Sequence, residues 1–160
     1  MHAEKRFQQK AAGKRQSLSD LLNVRLVDNT AANGKLIEVF RGEKEINSYL
    51  GQLRQVTAHV FTQGRVGGNH FHKERFEMFY VSGGRVFVFL KDLQSGEILS
   101  EEVYPGSKFN FIPGYAHAIC NPHKETAHLI EFTNLPFNPN NPTRDLYKHE
   151  FIDIETGKIA

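Results

Sequence analysis

The sequence predicts an all-β fold, a small antiparallel barrel or sandwich carrying a polar N-terminal extension. Short runs rich in Val, Ile, Phe and Tyr succeed one another from residue 54 onward. They are cut at regular intervals by turn pairs, Gly83-Gly84, Pro105-Gly106, Pro113-Gly114 and Asn121-Pro122, the pattern of many short strands in one β domain. Residues 135–145 hold three of the six prolines, so that stretch is irregular and extended and contains no helix.

At 160 residues the chain has the length of one domain with its own core. Apolar residues make up 39% and charged residues 24%, and thirteen Phe with no Trp predict a core of flat rings. A net charge of +2 gives no case for nucleic acid but leaves an anionic small ligand open. Cys120 is the only cysteine, which excludes an internal disulfide and suits a reducing compartment. No apolar run approaches the roughly 18 residues that span a bilayer, and the opening MHAEKRFQQK lacks the apolar core of a signal peptide. The expectation is a cytoplasmic protein without membrane or nucleic-acid partners.

Residues 1–20 read as a basic arm, rich in Lys, Arg and Gln, and residues 21–160 as a single domain. The stretch 17–27 is either a short helical turn or an opening strand, and periodicity does not decide. Asn33-Gly34 is a turn signal before a strand over residues 35–40, and residues 41–50 read as a loop. Strands follow at 54–61, 76–81, 85–93, 98–104, 108–113, 117–121 and 126–134. Gly83-Gly84 carries the composition of a two-residue hairpin, and residues 146–157 read as a last strand. Residues 85–93 are apolar on both faces, which in so small a barrel predicts packing against a second subunit and hence a homodimer.

The chemistry is concentrated between Gly64 and Gly84. His70 and His72 stand two apart, so in a strand they point the same way. Glu77 follows, and His117 stands beyond the turn at Pro113-Gly114. Three imidazoles and a carboxylate converging from two strands make a competent transition-metal site with open positions, unlike the closed, Cys-rich sites of structural zinc. The competing reading is a set of solvent-facing histidines in a Gly-rich loop.

The spacing Gly64, five residues, His70, one, His72, four, Glu77, six, Gly84, then Gly106, Pro113-Gly114, His117 and Asn121, resembles the two motifs of the cupin superfamily. One departure is that Pro113 and Gly114 are adjacent, where cupins usually separate the two by one residue. The resemblance implies a double-stranded β-helix, or jelly-roll barrel, with His70, His72, Glu77 and His117 holding one divalent transition metal: Zn, Fe, Ni or Mn. A narrower resemblance lies in GNHFHKERFEMFYVSGG, IPGYAHAICN and IEFTNLPFNPNNPTRDLYKHEF. These are similar to the cupin domain of capsular-polysaccharide enzymes that epimerise nucleotide-linked 4-keto sugars, and GKLIEVFR is similar to the opening strand of deoxysugar 3,5-epimerases and 3,4-ketoisomerases. Those relatives carry an arginine three residues before the first histidine, where this chain has Gly67, with Arg65 two positions earlier.

What this resemblance implies is an epimerase or ketoisomerase acting on a nucleotide-linked 4-keto-6-deoxy sugar in cell-surface polysaccharide biosynthesis. Such a reaction needs a base for the acidic hydrogen beside the ketone, and metal-bound imidazoles are poor bases. Tyr115, Lys73, Tyr80 and His59 are the candidate proton carriers, each with an ordinary structural role as its alternative. Arg65 and Arg75, with Lys73, would suit a diphosphate, against the alternative of a solvated loop. Two other functions stay open: an iron-dependent oxygenase or other small-molecule metalloenzyme on the same four ligands, and a non-catalytic sugar- or metabolite-binding cupin.

Overall fold

Residues 16–26, 30, 31, 34, 35, 39 and 53–160 are described by the computed structural model. Most of the strand expected at 35–40, the loop expected at 41–50, and residues 1–15 of the expected arm lie outside the described residues. Helix α1 (Leu18–Leu22) is followed by three two-residue strands, β1 (Arg25–Leu26), β2 (Thr30–Ala31) and β3 (Gly34–Lys35). The remaining strands are β4 (Gln55–Phe61), β5 (Val66–Phe71), β6 (Glu77–Gly83), β7 (Val86–Asp92), β8 (Ile98–Val103), β9 (Ser107–Phe111), β10 (Tyr115–Cys120), β11 (Ala127–Thr133) and β12 (Tyr147–Lys148).

Helix α1 forms because Ser17 and Asp20 close a capping box: Ser17 Oγ accepts from Asp20 N at 3.1 Å, and Asp20 Oδ2 accepts from Ser17 N at 3.2 Å. Asn23, in the left-handed region at φ 49, ends it. Residues 17–26 are therefore both helix and strand in turn. Among the described residues, Leu18, Leu21 and Leu22 are buried in the main core.

Two five-stranded antiparallel sheets, ordered β1-β9-β6-β11-β4 and β12-β5-β10-β7-β8, face one another, while β2 and β3 pair separately. Between them lie Phe79, Val81, Phe109, Phe111 and Leu129 from the first sheet and Val86, Val88, Leu90 and Ile119 from the second. This is the all-β jelly roll that the sequence predicts, with alternate residues of each strand pointing inward.

The sequence misleads at Gly83-Gly84. Strands β6 and β7 are not a hairpin, because they lie in different sheets. Gly84, at φ 63, is where the chain crosses: a Cβ there would come within 2.5 Å of Thr126 O, so glycine marks a close approach of two chain segments rather than a hairpin turn. The true hairpin joins β7 to β8, with Asp92 N donating to Glu97 O and Gly96 N to Asp92 O, both at 2.9 Å.

Strand β7 is apolar on both faces, as the sequence shows, but its outer face is covered within the same chain. Phe89, Ala116, Ala118 and Cys120 form a second cluster with Phe151 and Ile152 of the C-terminal segment. The strand therefore supplies no argument for a second subunit. That segment is not one long strand but the short β12 and a single bridge between Ile152 and Ile159. No helix of the described residues is long and apolar enough to cross a membrane.

Candidate metal centre

Strand β5 pairs with β10 so that His70 stands opposite His117. The register shifts just after His117, and Gly68, at φ 90, sits in the irregularity: an added Cβ would lie 2.6 Å from His117 O and 2.8 Å from Ala118 Cα. Only glycine lets the two strands approach there. His72, one residue past the end of β5, lies on the same side as His70, residues 73–76 bring the chain back, and Glu77 opens β6 facing inward. Phe111 lies flat against the His117 ring, with ring centroids 4.3 Å apart.

The result is a cluster in which His70, His72, Glu77 and His117 each offer one ligand atom, all within 4.8 Å of one another. His72, Glu77 and His117 are buried and His70 is half-buried. Nδ1 of His70 faces Gly68 O at 3.0 Å, Nδ1 of His117 faces Tyr115 O at 3.4 Å, and Nδ1 of His72 faces Asp145 O. A carbonyl oxygen only accepts, so each Nδ1 is the donor and each Nε2 is the nitrogen turned toward the cluster. Nε2 of His72 and of His117 each lie 3.2 Å from a Glu77 oxygen, yet buried His72 Nε2 makes no hydrogen bond. A buried ring nitrogen without a hydrogen bond, two further imidazole nitrogens and a carboxylate gathered within 4.8 Å fit a divalent transition metal.

Electrostatics follow from the crowding. Burial, then the neighbouring His117 and His72, pull the His70 pKa down to about 3, so this ring is a neutral ligand. Burial opposes charge on His72 too, but the Glu77 carboxylate outweighs it and raises its pKa. For Glu77, burial would favour the neutral acid, but His117 and His72 hold the carboxyl well below its usual range.

The donor set opens into a cavity of about 250 Å³. Of the residues expected to carry protons, only His59 lines it; its Nε2 is 2.7 Å from Glu131 Oε2. Tyr80 lies on the outer face of β6, buried with Phe76, Met78 and Phe132. Tyr115 packs against the main core, and the Lys73 ammonium sits 4.4 Å over the Tyr147 ring; neither side chain lines the cavity. Arg65 and Arg75 both do. The Arg65 guanidinium lies 5.3 Å over Phe61 and donates to Val60 O at 3.1 Å. A Cβ on Gly67 would meet that same Phe61 ring at 3.0 Å, so the ring leaves little room for a side chain at Gly67, and Arg65 reaches the cavity from two residues earlier.

Two residues of the site escaped the sequence reading. Glu131 is an acidic residue in an otherwise apolar strand, facing inward with Leu129 and Thr133. Its partner His59 is diagonal to it across β4 and β11, a relation that needs the register. Asp145 reaches His72 through a backbone carbonyl, for which the side chain gives no signal.

A jelly roll whose interior presents three histidines and a glutamate at an open cavity is a cupin. Within that class, the chain belongs to the polysaccharide biosynthesis C-terminal domain family, whose model matches residues 29–145. It is similar to CapF, the capsular polysaccharide assembling protein of Staphylococcus aureus, at 28% identity and a TM-score of 0.55, over 60% of this chain but only 28% of CapF. This chain thus spans little more than a quarter of that protein. The fold is shared with a dTDP-4-dehydrorhamnose 3,5-epimerase from Sulfolobus tokodaii (19% identity, TM-score 0.61, 79% of this chain and 77% of that one). It is shared also with a dTDP sugar isomerase from Desulfovibrio desulfuricans G20 (15% identity, TM-score 0.64, 79% and 82%). No curated protein matches the chain.

Proposed function

We propose that the chain is a metal-containing cupin that acts as an epimerase or ketoisomerase on a nucleotide-linked 4-keto-6-deoxy sugar in cell-surface polysaccharide biosynthesis. The observation that carries this reading is one cavity lined by the His70, His72, Glu77 and His117 donors, by the His59–Glu131 pair, and by two arginines. The family match and the similarity to CapF support a substrate from polysaccharide biosynthesis.

A hydrogen on the carbon beside a ketone is acidic because the resulting charge spreads onto oxygen. His59 is the residue fit to take it. Glu131 accepts from Nε2–H and orients the ring, leaving Nδ1 as the nitrogen free to accept a proton. After that proton exchanges with solvent, a solvent-derived proton delivered by a second acid to the other face of the carbon gives the epimer, and one delivered to the neighbouring carbon gives the isomer. Arg65 and Arg75 line the cavity and can pair with a diphosphate through their planar forks. Bound by the four donors, a divalent metal would supply Lewis acidity toward a carbonyl oxygen.

Incubation of the purified protein in D₂O with a nucleotide-linked 4-keto-6-deoxyhexose tests this: deuterium should enter beside the ketone. Oxygen consumption by an iron-loaded protein without deuterium exchange would identify an oxygenase instead. Tight ligand binding without turnover would identify a binding protein.

A further inference from the structure

The C-terminal segment runs directly along the ligand-bearing strand and is fastened to it on both sides of the histidine pair. Upstream of His70, the Asn69 side chain donates to Ile152 O at 2.7 Å and accepts from Ile152 N at 3.0 Å and Phe151 N at 3.2 Å, while Asn69 O accepts from His149 N at 2.8 Å. Tyr147 and Lys148 pair with Phe71 and His70. Downstream of His72, the buried Asp145 carboxylate accepts from Lys73 N at 2.7 Å, Glu74 N at 3.0 Å and Arg75 N at 2.8 Å. Those three amides form the turn that separates His72 from Glu77, and the backbone carbonyl of the same Asp145 receives the His72 Nδ1 proton. Asp145 makes both contacts from the left-handed region, at φ 58, a conformation held only where the surroundings over-determine it.

We propose that Asp145 is a positioning residue for the donor set, fixing the His72 proton on Nδ1 and clamping the turn to Glu77, so that residues 145–152 brace the metal-holding strand. The inference rests on the metal-holding part of the reading above. A ligand histidine is aimed by what its other nitrogen donates to, and losing such a partner typically weakens metal binding by roughly 10–100-fold. Here the partner is a main-chain oxygen, so it is the carboxylate clamp that keeps it in place.

Two variants separate the clamp from the backbone conformation. Asp145→Asn removes the charge and turns a donor toward the three amides while tolerating φ 58, and Asp145→Gly adopts that φ freely with no side chain. Side-chain ¹⁵N–¹H spectra of the metal-free protein read the His72 tautomer, and chelator competition reads the zinc affinity. Wild type should show Nδ1–H at His72, and both variants should stay folded, with mixed tautomers and roughly 10–100-fold weaker zinc binding. Wild-type tautomer and zinc affinity in both variants, or an Nε2–H tautomer in the wild type, overturns the proposal. Loss of folding in both variants also overturns it, since Asp145 would then serve the fold at large. A wild-type protein that binds no zinc sinks the metal reading, and the tautomer measurement then decides the brace alone.

Discussion

Replacing His70 by Gln in the metal-free protein isolates the cost of keeping one imidazole neutral in the cavity wall. His70 is half-buried against His72 and His117, with ring centroids 4.7 Å from each, and its pKa falls from 6.5 to about 3. The unfolded chain takes up a proton at this site below about pH 6.5, whereas the folded chain does not until about pH 3. The folded state thus binds fewer protons, so stability is full above pH 6.5 and falls as the solution becomes more acid. At about 1.4 kcal/mol per pKa unit, the loss attributable to His70 is about 2 kcal/mol between pH 7 and pH 5, and about 4 kcal/mol by pH 3. Urea unfolding of wild type and His70→Gln across this range measures it: the stability difference between them should shift in the variant's favour by about 2 kcal/mol from pH 7 to pH 5. A difference that stays constant with pH, or moves the other way, refutes the placement of a neutral His70 in the cluster.

Other outcomes follow from the same geometry. Gly68→Ala puts a methyl 2.6 Å from His117 O at φ 90, so it should cost about 2–4 kcal/mol of stability and weaken zinc binding; a variant with wild-type urea midpoint would contradict the close approach of β5 and β10. His59→Gln should lower deuterium exchange by about 10²–10⁴-fold while leaving metal content intact, and Glu131→Gln, which loses the carboxylate that orients the His59 ring, should slow exchange as well. Tyr80→Phe, altered on the outer face of β6, should exchange at the wild-type rate, and a large loss would show that the catalytic face is misassigned. Leu22→Ala, at a fully buried position, should cost about 2–5 kcal/mol; a change below about 1 kcal/mol would show that α1 lies outside the cooperative core.

The His70–His72 pair was legible in the sequence because its geometry is local: the two share a face by strand alternation alone. Glu77 and His117 joined it through the resemblance to the cupin motifs, since the pairing that sets His117 opposite His70 is long-range. The same alternation, counted from Glu77, places Tyr80 on the outer face, so that placement was available too. Tyr115 shares the His117 face, but how deep it lies depends on packing of the main core. Long-range relations were not legible. Gly83-Gly84 has the composition of a hairpin, and only the assignment of β6 and β7 to different sheets shows a crossing. The apolar outer face of β7 called for a cover, but the sequence could not say that Phe151 and Ile152 of the same chain provide it. The pairing of His59 with Glu131 spans 72 residues and depends on register.

The most direct test of the central claim, that His70, His72, Glu77 and His117 hold a metal at a catalytic cavity, is elemental analysis of native protein purified without a metal-affinity step, beside His117→Gln. The account predicts about one divalent transition metal per chain in the wild type and a large fall in the variant. A native protein that carries no metal and takes none up on dialysis against zinc would contradict it.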